Sequence, residues 1–400
     1  MSNCYVFPEE ELTALADAVR TKTGTSDKMT INEMTQAIGN IASSSVAVYG
    51  ITNVYDFGDR TYTSDIAREC RLFSKFIGHN IKQLSYNAFN NSIINEFDFP
   101  LLTSIYDYAF ASCRYLVNVD LPNSVTYISS GAFYDCSNLS SINLSSNLEY
   151  IEGSVFAYCY NLDNVVIPDK VNMMGTGIFQ QCRNLKNVVL PNSINSLASN
   201  TFFNCINLDN VVIPDSVNTI GYNVFYNCRA LKNVVFPNSL TTISYNLFYN
   251  CNNIDNIVMP DSVNSIGNNT FYNCRNLVNV KLSSSLTSIP YGTFRYCYNL
   301  RNIEIPNLVT VIDNYAFGLC NNLDNVVIPS SVVNMNGYCF DSCSNLNVVT
   351  FEGIPTMIAT SAFNNCKSLT NIYVPWAEGV VAGAPWGATN ATIHYDTVNP

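Results

Sequence analysis

The stretch YNCRALKNVVFP, Tyr226–Pro237, places a cysteine nine residues ahead of a proline, with an aliphatic run between them. Counting outward from Cys228 returns the same arrangement again and again. Cys113, Cys136, Cys159, Cys182, Cys205, Cys228, Cys251, Cys274, Cys297, Cys320, Cys343 and Cys366 form one series of step 23. Phenylalanine stands three residues before every one of them, from Phe110 to Phe363. Ile, Leu or Met stands eight before, as in Ile105, Ile220 and Met335, and Leu or Ile three after, as in Leu231 and Ile254. Further aliphatics follow at six and eight, and at nine proline dominates, with Ser145, Ser283 and Glu352 as exceptions.

A period of 23 falls in the range of leucine-rich repeats. The end of each unit alternates, so Val211 and Ile213 face one way while Asn210 and Val212 face the other. Proline then closes the strand, because it has no ladder donor. The stretch from isoleucine to cysteine is too short for a long helix and reads as a short helical or irregular turn. One such coil cannot bury its apolar set alone. Stacked at about 4.8 Å, the spacing of neighbouring strands, successive coils share a core. The expected class is therefore an α/β solenoid: a stack of leucine-rich coils with one parallel β-sheet face, preceded by a small two-helix N-terminal module.

Twelve regular coils span 104–375, and an N-terminal cap with degenerate repeats covers 61–103. There Leu84, Phe89, Ile94, Phe97, Phe99 and Pro100 keep the template, Ser92 stands near the cysteine place, and Cys70, Phe73 and Phe76 resemble a half-coil. A C-terminal cap, 376–400, carries Trp376 and Trp386, which read as lids on an otherwise open core. At the other end, 1–41 predicts a helical hairpin. Leu12, Leu15 and Val19 share one helical face; TINE, Thr30–Glu33, is a capping box ahead of Ile31, Met34 and Ile38. A linker and lead-in strand over 42–60 separate this candidate docking module from the coils, which suits an attachment role.

Composition excludes several functions. A net charge of −11 disfavours nucleic acid. His79 and His394 are the only histidines, and no phosphate loop, dinucleotide fingerprint, serine elbow or zinc-protease motif occurs. One cysteine per coil lacks the paired spacing of a zinc site and suits a small buried hydrophobe. Cys4, Cys70 and Cys339 stand outside the series, with Cys4 the expected exposed thiol. No catalytic, cofactor or metal-binding residue can be nominated, and no enzyme is expected. No run is long enough to cross a membrane, and the N-terminus lacks the form of a secretory signal.

What remains is surface. The outward strand positions pair Asn164 with Val166, Asn187 with Val189, Asn210 with Val212, Asn233 with Val235 and Asn256 with Val258. An exposed apolar stripe of this length marks a partner-binding face, or else reflects only the preference of valine for strands. The asparagines form an amide ladder or offer hydrogen bonds to a polymeric ligand such as a glycan. Beside them Asp163, Lys186, Asp209, Lys232 and Asp255 alternate, a charge pattern with a period of 46 that helps fix register.

The motif in YDYAFASCRYLVNVDLP, Tyr106–Pro122, resembles the BspA-type leucine-rich repeats, and the resemblance covers about residues 70–375. It implies a right-handed solenoid with phenylalanine and cysteine buried, and a bacterial surface or secreted binding protein. The two ends, LTALADAVRTKTGTSDKMTINEMTQAIGNI and IYVPWAEGVVAGAPWGATNATIHY, are similar to segments of phage and prophage tail-associated proteins. That similarity implies a virion tail fibre or receptor-binding protein. Its helical module would dock on tail or baseplate proteins while the solenoid meets a host surface protein or glycan. No membrane insertion is expected, and self-association into a homo-oligomer is left open. The alternative is a leucine-rich adhesin on the bacterial surface.

Overall fold

The structure is a computed structural model and describes residues 54–56, 62–63, 67–71 and 73–397. Thirty short strands lie among these residues, and every pairing is parallel. They fall into two rows. The first is made of strands such as Asn164–Val166, Asn187–Val189 and Asn210–Val212, and it runs from Val54–Asp56 to Thr392–His394. The second is made of two-residue strands such as Ser104–Ile105, Thr219–Ile220 and Thr242–Ile243. Register advances by one repeat at each step, as in Val165 to Val188 and Ile220 to Ile243.

The expected α/β class is corrected by this arrangement. Among the described residues there is no α-helix, and a second strand row accompanies the single sheet face that was anticipated. The solenoid is all-β. The reason lies in the backbone between isoleucine and cysteine. The residues five and one before the cysteine hold positive φ in most coils, for instance Asn223 (55°) and Asn227 (60°), or Gly131 (62°) and Asp135 (55°). Left-handed residues at that interval break any helix. The N–H groups of Asn223, Phe225 and Asn227 donate instead to carbonyls of the next coil, at 3.3, 3.0 and 2.6 Å. Those of Tyr226 and Cys228 close tight turns at 3.1 Å. Each turn wall is thus a third hydrogen-bonded row. The two-helix module, with Leu12, Leu15, Val19, Ile31, Met34 and Ile38, lies outside the described residues, as does Cys4.

One continuous core fills the coils. The phenylalanines from Phe89 to Phe363 stack face to face, with centroids 4.9 to 5.8 Å apart and planes within 19°. Cysteines of the series are buried beside them. Their thiols do more than fill space: each donates to the carbonyl of the phenylalanine one coil earlier, at 2.9 to 3.2 Å. Cys228, for example, bonds the Phe202 carbonyl, which also accepts the Cys205 N–H. A thiol supplies that second bond at a small desolvation cost. Ser92 takes the same place in the degenerate coil, with its hydroxyl 3.6 Å from the Cys113 sulfur. At the far end Trp376 and Trp386 are buried against Phe351, and Trp386 Nε1 donates to the Ala382 carbonyl at 2.9 Å.

Candidate functional site: the outward strand face

The first strand row alternates exposed, buried, exposed along its regular coils. Val165, Val188, Val211, Val234 and Ile257 point into the core. Their neighbours Val166, Val189, Val212, Val235 and Val258 point out, 53 to 72 % exposed, as do Asn164, Asn187, Asn210, Asn233 and Asn256. Strand pairing fixes the rows: Asn210 lies opposite Asn233 and Val212 opposite Val235. The face therefore repeats one Val–Asn pair over five successive coils.

The amides do not form a continuous ladder. Asn187 Nδ2 donates to Asn164 Oδ1 at 2.9 Å, but Asn210, Asn233 and Asn256 make no side-chain hydrogen bond among the described residues. Beside this face Lys186 pairs with Asp163 at 3.1 Å and Lys232 with Asp209 at 3.0 Å. Both pairs are exposed, and such pairs contribute about 0–1 kcal/mol. They align neighbouring coils more than they stabilise them.

Elsewhere on the coil many polar side chains pair with one another. On the turn wall Asn227 Nδ2 donates to Asn204 Oδ1, and Asn273 Nδ2 to Asn250 Oδ1, both at 2.7 Å. Tyr226, Tyr249 and Tyr272 stack at 4.6 and 4.4 Å beside them. Near the N-terminal end Glu152 accepts from Tyr127, Ser129 and Ser130, and the Tyr127 hydroxyl is the main cause of its lowered pKa. These groups are already satisfied by one another. The buried thiols are inert for a different reason: burial raises Cys113 to about 12 and pushes Cys228 and its neighbours higher still, which keeps them protonated.

Two features escaped the sequence reading. Asparagine and glycine exchange at the position five before the cysteine (Asn200, Asn223, Asn246; Gly131, Gly177, Gly292), and that exchange is itself the signal of left-handed backbone. The other is a cleft of about 430 Å³ where the valine row ends, lined by Asp261, Lys281, Ser284 and Glu304 among others. Its sequence mark is the loss of valine at Lys281 and Glu304 and of proline at Ser283.

A family model for the BspA type leucine-rich repeat region matches residues 82–209, 196–321 and 287–378, well over half of the chain. The chain belongs to the BspA-type leucine-rich repeat family. Among solved structures, this BspA-type chain is similar to a leucine-rich repeat protein from Bacteroides ovatus, at 24 % identity and a TM-score of 0.55. The match covers 74 % of this chain and 87 % of that one. It shows the fold. It is also similar to a leucine rich cell surface protein from Faecalibacterium prausnitzii, at 28 % identity and a TM-score of 0.49, covering 69 % and 84 %. No curated protein matches the chain.

Proposed function

We propose that this BspA-type solenoid is displayed on a bacterial surface and binds an extracellular partner non-covalently, through the Asn–Val strand face. The observation that carries this reading is the run of exposed valines at Val166, Val189, Val212, Val235 and Val258, beside amides at Asn210, Asn233 and Asn256 that make no side-chain hydrogen bond among the described residues. Aligned valine methyls left in water are apolar area that a partner can cover, and contiguous exposed apolar patches often mark contacts. A preference of valine for strands accounts for single valines, and less well for five in one row, three of them beside amides with no side-chain hydrogen bond among the described residues. Family membership points the same way, since the resemblance to BspA-type repeats implies surface or secreted binding proteins.

The tail-fibre expectation draws no support from the family model or from the similar structures. The adhesin alternative fits both better. Immunolabelling of intact, uninfected producing cells tests the choice. Surface labelling without permeabilisation is the expected result; protein found only in purified virions would overturn it.

A further inference from the structure

The shape and repetition of this face restrict what can lie on it. Five coils spaced at about 4.8 Å make a stripe roughly 20 Å long, and a three-residue strand is about 10 Å wide. That is far below the roughly 800 Å² per partner of a stable protein interface, so a globular occupant or a second copy is poorly served. A linear chain fits. An extended polypeptide repeats its side chains every 6.6 Å or so and falls out of step with the coils, whereas an extended chain of pyranose rings, each ring close in length to one coil step, stays in step. Identical lining in each coil also suits a ligand made of identical units. The Val–Asn rows are uncharged, and the net charge of −11 repels anionic polymers.

Where the stripe ends, the chemistry changes. Val258 is paired in register with Lys281, and Glu304 takes the same repeat position one coil on. Here the strand face opens into the cleft, with buried Leu282 and half-buried Val280 beneath exposed Asp261, Lys281, Ser284 and Glu304. Asp261 accepts from the Ser284 N–H at 3.2 Å and its hydroxyl at 3.0 Å. Lys281 and Glu304 form no ion pair among the described residues, so an ammonium and a carboxylate both remain open to a ligand.

We propose that the ligand is a neutral, regularly repeating glycan lying along the solenoid axis, with one sugar per valine coil and its terminal sugar held in the cleft by Lys281 and Glu304. This rests on the surface-binding reading above and names its ligand class. Valine methyls would cover the C–H faces of the rings, and the free amides of Asn210, Asn233 and Asn256 would meet hydroxyl or acetamido groups.

Calorimetric titration with neutral oligosaccharides of graded length, cut from the envelope polysaccharide of cells that bind the protein, tests the proposal. Affinity is expected to rise with length and level off at about six sugars, five on the coils and one in the cleft. Lys281→Ala and Glu304→Gln should each weaken the longest oligosaccharide about tenfold without shifting the melting temperature. No affinity at any length, or cleft variants that bind like the wild type, overturns it. Periodate oxidation of the cells separates the two levels of the argument. Oxidised cells should lose the protein. Oxidised cells that still bind wild type, but not a valine-face variant, sink the glycan and leave the surface reading standing. Cells that bind the valine-face variant as well as wild type sink the surface reading itself.

Discussion

In the four coils from Cys205 to Cys274 asparagine lines both walls at the same period, yet it does different things on each. On the turn wall Asn204, Asn227, Asn250 and Asn273 hold left-handed backbone, and their amides bond one another or the guanidinium of Arg229 or Arg275. On the strand face Asn210, Asn233 and Asn256 hold extended backbone and make no such bond among the described residues. The neighbours differ in the same sense: tyrosines stack on the turn wall, while register-paired valines lie exposed to water on the strand face. One wall uses its side chains to hold the coil shut. The other leaves hydrogen-bonding capacity and apolar area unused, which is what a recognition surface must do. Changes to the turn wall should therefore cost stability, and changes to the strand face should cost binding.

The largest expected effect comes from base. Twelve thiols, eleven of the series plus Cys339, have their pKa raised by burial above the ordinary value of 9.0. The folded state then holds protons that the unfolded chain releases, so their contribution is complete below pH 9 and falls as pH rises through and beyond it. The loss is about 1.4 kcal/mol per thiol for each pH unit. Melting curves at pH 8, 9 and 10 should show a steep fall only above 9. A flat profile would mean that the thiols are not buried as described.

Next comes Phe225→Ala, which empties one rung of the ring column. It should destabilise by about 3–5 kcal/mol in denaturant titration, with partner binding retained under native conditions. Asn227→Ala should cost about 1–2 kcal/mol, because alanine strains the left-handed site and the amide bond to Asn204 is lost. Asn227→Gly separates those causes: it restores backbone freedom and should recover most of the loss. Equal losses in both variants would show that the amide, not the backbone, is what the position needs.

Much of this was legible beforehand because a repeat amplifies weak signals. One buried cysteine says little, but twelve at a fixed step, each three after a phenylalanine, point to stacked coils, although the expected α/β class gave way to an all-β solenoid. The outward direction of Val212 and Val235 followed from strand alternation in the same way. The second strand row was not legible, since two residues such as Thr219–Ile220 carry no period of their own. Nor was the thiol bond to the phenylalanine carbonyl, which depends on contact between coils and not on spacing within one. The cleft was half visible: Ser283 stands out where proline dominates, and Lys281 and Glu304 break the valine row, but only packing turns such breaks into a concavity.

The central claim is that the strand face binds and the turn wall does not. The direct measurement is quantitative adhesion of purified protein to intact cells. It compares the wild type with a face variant, Val189→Glu/Val212→Lys/Val235→Glu, and a turn-wall variant, Tyr222→Ser/Tyr245→Ser, which removes two exposed rings that stack at 5.0 Å beside the left-handed Asn223 and Asn246. Alternating signs let the new charges attract across neighbouring strands, and the chain already carries Lys281 and Glu304 at this position. The account predicts at least about a tenfold loss of adhesion for the face variant, with stability changed by no more than roughly 0.5 kcal/mol per substitution, and undiminished adhesion for the turn-wall variant. Wild-type adhesion by the face variant, or loss confined to the turn-wall variant, would contradict it.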